Sequence, residues 1–211
     1  MSGALGGEAP GAARDEAARA RDAAPDQAPR LVRPAVAYHT SFLAALAEYH
    51  DEARHLELDG LILADEEEFD RFISLVNLGV DRAGELDAYL AALQGQRPPA
   101  PPPDGYVPQT TLWWVAGTEY LGRLALRHRL PPHLLQEGNH IGYEVRPSAR
   151  GRGHATAMLA AALPLAAALG IDPARVDCDV DNVASRRVIE KNGGRLEREE
   201  NGSLYFLVPT R

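Results

Sequence analysis

The stretch Val145-Arg-Pro-Ser-Ala-Arg-Gly-Arg-Gly-His-Ala-Thr156 decides the fold. A strand-like segment, His140–Val145, runs into a loop with two glycines, and the loop opens an apolar helix reaching Leu169. Gly151 and Gly153 allow positive φ and close approach of a ligand to the backbone. The first turn of the helix, Ala155 to Met158, offers N–H groups without intrahelical partners at the positive end of the helix dipole. Such a place binds anions, phosphate above all.

Around this loop the chain divides by composition and period. Residues 1–30 are Ala, Gly, Arg, Asp and Pro with almost no large apolar side chain, and are expected to be a disordered tail. A single domain is expected over 31–211, since a chain of 211 residues with 45% hydrophobic content can bury one full core. Leu31–Val36 reads as a strand near an edge, with Pro34 in it. Thr40 or Ser41 is placed to cap a helix carrying Phe42, Leu43, Leu46 and Tyr49. Asp65 opens a second helix with Phe69, Phe72, Ile73 and Val76 on one face, and a third covers Glu85–Leu93. The proline-rich stretch from Gln94 to Gly105 is an extended connector. Thr110–Val115 and Tyr120–Arg127 form a hairpin, and a loop from His128 to Asn139 leads to His140–Val145. Trp113 and Trp114 read as one core and one face residue.

Beyond the loop, Pro164 is expected to kink the helix or break a backbone bond, and Gly170 ends it. Arg175–Val180 is a buried strand containing the single cysteine, Cys178, which reads as inert packing. Asn182 or Ser185 starts a helix through Lys191, and a last hairpin turns at Asn201-Gly202. The order is β-α-α-α-β-β-β-α-β-α-β-β.

The formal charge of −8 argues against nucleic acid as partner. No run approaches the ~18–20 apolar residues of a membrane span, and the N-terminus lacks a secretory pattern, so a cytoplasmic protein without membrane association is expected. No histidine or cysteine stands at ligand spacing near the acidic run from Asp65 to Glu68, and no metal is expected.

Three ligand classes use glycine loops at helix starts. The nucleotide P-loop requires Gly-Lys-Ser/Thr, which is absent. The dinucleotide fingerprint requires a third glycine where Thr156 stands, directly after a strand. What remains is Arg150-x-x-Gly153-x-Ala155, followed by Asp181-Asn-Val-Ala-Ser-Arg-Arg-Val-Ile-Glu-Lys-Asn-Gly193. In these two motifs, and in the order of elements from Leu31 onward, the sequence resembles the GNAT superfamily of N-acetyltransferases.

The resemblance implies an α/β (α+β) fold with a mixed, mostly antiparallel, splayed central sheet flanked by helices. It also implies acetyl-CoA as cosubstrate. Val145, Arg150, Gly151, Arg152, Gly153, His154, Ala155 and Thr156 would bind the cofactor, the backbone amides from Gly151 to Thr156 cradling its pyrophosphate, and Asn182 and Ser185 would touch the pantetheine arm. A backbone N–H near Val145 corresponds to the family's oxyanion donor. The arm would enter between the strand of Tyr143–Val145 and that of Asp177–Val180. The acceptor would be a primary amine of a small molecule or peptide, and a homodimer is compatible with the sequence.

An alkylammonium has pKa near ~10.4, so a base is useful at neutral pH. Glu144, His128, His140 and Glu137 lie near the splayed strands, and Glu144 and His128 are the leading candidates. The sequence departs from the family at Ile189, where many members carry a tyrosine that protonates the departing thiolate, and at Gly194, where phenylalanine is usual. That departure also admits a catalytically silent acyl-CoA-binding sensor or interaction module of the same fold.

Overall fold

In the computed structural model, residues 27–79, 83–101, 107–130 and 138–211 are described. The expected tail lies outside them up to residue 26, as do Glu137 and the middle of the His128–Asn139 loop. Among the described residues, seven strands and five α-helices follow the expected order. β1 is Arg30–Val32, β2 Gln109–Ala116, β3 Glu119–Arg127 and β4 Ile141–Val145. β5 is Ala174–Asp179, β6 Arg195–Glu200 and β7 Ser203–Val208. The helices are α1 (His39–His50), α2 (Glu66–Leu78), α3 (Ala83–Leu93), α4 (His154–Ala168) and α5 (Val183–Lys191).

The strands form two antiparallel sheets, β1-β2-β3-β4 and β5-β7-β6. Their inner edges, β4 and β5, meet only at one end. His140 N–H donates to the Arg175 carbonyl at 2.8 Å, and Arg175 N–H donates to His140 Nδ1 at 2.9 Å. Beyond this point no ladder joins the strands, which is the expected splay.

Both faces of the first sheet are covered, so β2 is buried continuously from Leu112 to Val115. On one face Trp114, Leu121 and Leu124 pack with Met158, Leu159 and Ala162 of α4 and with Ile189 of α5. On the other, Trp113, Val115 and Tyr120 pack with Phe42 and Leu46 of α1 and with Phe69 and Phe72 of α2. Phe42 stacks on Trp113 with ring centroids 4.9 Å apart. Both tryptophans are therefore core residues, because a second helical layer covers the face that strand alternation alone leaves to solvent.

Several local expectations change. β1 ends at Val32, and a 3-10 turn over Val36–Tyr38 runs directly into α1. The start of α1 accordingly has no side-chain cap, and Ser41 Oγ instead accepts from the Tyr120 N–H at 2.9 Å. A 3-10 segment, Leu56–Leu63, follows α1 and buries Leu58 and Leu61. α2 starts as expected, with a reciprocal capping box between Asp65 and Glu68. α4 continues through Pro164, which faces solvent, where water can satisfy the carbonyl that loses its donor. Among the described residues no helix is long and apolar enough to cross a membrane.

Candidate active site

The glycine loop leaves β4 at Val145, makes one 3-10 turn over Pro147–Ala149, and enters α4. Gly151 and Gly153 have φ of 77° and 82°, left-handed values that a side chain would strain. Gly153 is the N-cap of α4, and no side chain caps this helix. A cavity of about 220 Å³ opens here. Its walls include Val145, Arg150, Gly151, Gly153, His154, Ala155 and Thr156. The structure thus brings together seven of the eight loop residues expected at the anion; Arg152 is exposed beside them.

The opposite wall was missed in the sequence. Ala184, Arg187, Val188 and Lys191 of α5 line the same cavity. Arg187 and Lys191 are four residues apart, hence on one helical face, and that spacing was the available signal. Both are exposed, so the cavity combines backbone N–H groups, a helix N-terminus and two solvent-facing cations. This set fits a multiply charged phosphate ester.

Arg150 is differently employed. Its guanidinium makes two hydrogen bonds to Glu52 at 2.6 and 2.8 Å, and its Nε donates to the Val145 carbonyl at 3.1 Å. It shapes the loop, and its charge is already paired. His154 Nδ1 accepts from the Trp114 indole N–H at 3.3 Å. Burial, with the nearby Arg152 charge, lowers the His154 pKa and favours the neutral ring. Asn182 caps α5 through Ser185 N–H at 3.0 Å. Ser185 Oγ lies 2.8 Å from the Tyr143 hydroxyl, which spans from β4 to α5. Burial pushes Tyr143 up to about 12, so it is a neutral hydrogen-bonding group. Ile189 is completely buried and offers no donor. Cys178 is buried beside Asp177 and Asp179, and burial first, then these charges, raise its thiol pKa, consistent with inert packing.

Glu144 alternates with Tyr143 and Val145 along β4 and faces the opposite side of the sheet. There it meets the segment after α1. Its Oε2 accepts from Arg54, and its Oε1 lies 2.6 Å from His55 Nε2 and 3.7 Å from Arg123 Nε. Burial works to raise the carboxyl pKa, but His55, Arg123 and Arg54 outweigh it and hold it below the ordinary range. His55 and Arg54 gave no motif signal; they are far from Glu144 in sequence, and only the fold joins them.

The structure does not bring the other two described base candidates to Glu144. His128 bonds Thr110 Oγ1 at 2.8 Å and lines a separate cavity with Arg33, Asn77 and Gly79. Arg123 is the residue paired with Glu144, so His128 lies five residues further along, roughly 16 Å at strand spacing. The ring of His140 is occupied at the β4–β5 junction, and burial together with Arg175 and Arg127 keeps it neutral. Among the described residues no cluster of His, Cys, Asp or Glu has the make-up of a metal site.

A family model described as an acetyltransferase (GNAT) domain matches residues 43–195. No curated protein matches the chain. Among solved structures, RimL, a ribosomal alpha-N-protein acetyltransferase in complex with coenzyme A, is similar with a TM-score of 0.50. The identity is 18%, over 87% of this chain and 96% of RimL. The PaiA N-acetyltransferase from Thermoplasma acidophilum, in complex with coenzyme A, has a TM-score of 0.48 and 11% identity over 86% of this chain and 99% of its own. At 18% identity the likeness to RimL is one of fold alone.

Proposed function

Because this chain belongs to the GNAT acetyltransferase family, we propose that it moves an acetyl group from acetyl-CoA to a primary amine of a small molecule or peptide by direct attack. The observation that carries this reading is the cavity shared by the glycine loop and the cationic face of α5. The amides from Gly151 to Thr156 would hold the pyrophosphate, and Arg187, Lys191 and Arg152 would neutralise its remaining charge. The pantetheine arm would pass between β4 and β5, past Asn182 and Ser185.

Cofactor and acceptor occupy opposite faces of β4. Val145 belongs to the cavity wall, whereas Glu144 points to the α1 side. The acceptor ammonium would approach there and give up one proton to the cluster around Glu144. Its nitrogen then bonds to the acetyl carbon as the C–S bond breaks. The carbonyl oxygen, turning anionic, needs a fixed donor, and the backbone near Val145 is the place for one. Ser185, hydrogen-bonded to Tyr143, is the hydroxyl suited to protonate the departing thiolate. A thiolate with pKa near ~8.5 also leaves tolerably without an acid.

The test is CoA release from acetyl-CoA with a panel of small amines and peptides, beside a thermal-shift titration with CoA. Turnover with at least one amine supports the proposal. A CoA shift without thiol release from any amine would instead favour a silent acyl-CoA sensor. Gly153→Val is expected to abolish the shift, and an unchanged shift would remove the loop from the site.

A further inference from the structure

Glu144 has both carboxylate oxygens engaged, one by Arg54 and the other by His55. A nitrogen and a carboxylate oxygen 2.6 Å apart need a proton between them, so His55 Nε2 carries hydrogen and donates to Glu144 Oε1. In the neutral ring the lone pair is then on Nδ1. Arg123 NH2, a donor, lies 3.4 Å from Nδ1, which agrees with an acceptor there. Glu57 Oε1, 3.2 Å from the same atom, can only accept, so this contact belongs to the protonated ring, the state that follows proton transfer. The side chains of Arg123 and Glu57 are 44% and 62% exposed, so the groups in front of Nδ1 are free to move aside.

Behind His55 and Glu144 the surroundings are closely packed. The His55 and Glu144 side chains are only 11% and 10% exposed. Tyr49 of α1 packs edge-on against the imidazole, with centroids 5.0 Å apart. His50 Nε2 lies 3.2 Å from the His55 carbonyl oxygen and 2.8 Å from Asp59. His55 itself is held at φ 58° and ψ 33°, in the left-handed region that a residue with Cβ enters only at a cost. Strained backbone of this kind persists where the surroundings fix it, and it concentrates at functional sites.

We propose that His55 is the proton acceptor of the transfer and that Glu144 is its positioning carboxylate, fixing tautomer and ring direction through Nε2. This rests on the acetyltransferase reading above. The acceptor ammonium loses one proton to Nδ1, directly or through one water, leaving an amine with a lone pair. The C–N bond forms and the C–S bond breaks. The second nitrogen proton is balanced by protonation of the thiolate, and the imidazolium releases its proton to Glu57 or solvent. The net products are the N-acetyl amine, CoA thiol and one proton.

The experiment uses the full chain and an amine that the wild type acetylates. His55→Gly suits the positive φ and leaves space for a free imidazole. It is expected to lower kcat by about 10²-fold or more, with the CoA thermal shift unchanged. Added imidazole restores part of the rate, which a purely structural histidine would not allow. Glu144→Gln keeps an oxygen acceptor for Nε2–H and loses less activity than His55→Gly. His55→Asn, tolerant of the left-handed region, replaces the glycine variant if that one fails to fold. Failure of imidazole to rescue either folded variant, or a larger loss in Glu144→Gln than in His55→Gly, overturns the assignment. Absence of turnover by the wild type overturns the acetyltransferase reading and this one with it. Full activity in His55→Gly overturns this one alone.

Discussion

Gly122 stands opposite Val145 in the β3–β4 pair, and a Cβ there would lie 2.2 Å from the Glu144 carbonyl oxygen and 3.0 Å from Val145 Cα. Both are backbone atoms of the strand that carries Glu144, so neither yields without moving it. Gly122→Ala is expected to destabilise the protein by about 2–3 kcal/mol, measured by urea unfolding. Turnover should fall by more than stability explains, because the displaced atoms carry Glu144. Gly194 has a comparable reason: a Cβ would approach Ile189 Cγ2 at 2.5 Å and the Ile189 carbonyl oxygen at 2.8 Å. The two departures from the family pattern are thus one packing solution, a buried isoleucine against a glycine. Each was visible in the sequence as a departure; that they touch was not.

At the level of elements, α1 and the turn that follows it are fastened to the segment from β4 through the glycine loop by two carboxylates four residues apart. Glu48 accepts from the Arg146 guanidinium and from Ser148 N–H and Oγ, and Glu52 takes Arg150. Arg146 is almost fully buried, so Glu48→Ala leaves a charge without its main partner, Glu119 being 3.7 Å away and exposed. The expected cost is about 2–3 kcal/mol, below that of a fully buried pair because Glu48 is partly solvated.

The same contacts set a pH dependence. Burial of Glu48 opposes ionisation, yet Arg146 and Ser148 prevail and keep its pKa below 4.5, and Glu144 is lowered likewise. Depressed carboxyl groups bind fewer protons in the folded chain than in the unfolded one. Their stabilisation is therefore complete above about pH 4.5 and is lost as pH falls through the folded values. Urea midpoints against pH should fall in that window, and less steeply in Glu48→Gln. For α5, Asn182→Ala removes the cap and should cost about 1 kcal/mol. If Asn182 also touches the cofactor, CoA affinity falls as well, and a CoA titration of the variant separates the two roles.

For the whole molecule, the two sheets leave a cleft between β4 and β5, and Tyr143 of β4 reaches Ser185 of α5 through a side-chain hydrogen bond. A ligand held by α4 on one wall and α5 on the other would join them. CoA at 100 times its Kd should add about 2.7 kcal/mol, a rise in Tm of roughly 5–10 °C for a chain of this size. Arg187→Glu combined with Lys191→Glu should shrink that rise, most clearly at low salt, where exposed charges are least screened. An undiminished rise would place the phosphates elsewhere.

The order of elements, the positions of most helices and strands, and the glycine loop at the start of α4 were legible from the sequence, because each rests on local physics. Apolar period distinguishes helix from strand, Asp65 and Asn182 cap their helices through neighbours three residues on, and Gly151 and Gly153 permit a backbone that other residues resist. Tertiary structure alone decided which side chains share the site. Glu144 and His55 are 89 residues apart, and Arg150 meets Glu52 across 98. No periodicity reaches so far: such pairs exist only because burying both faces of one sheet brings the end of α1 against β4.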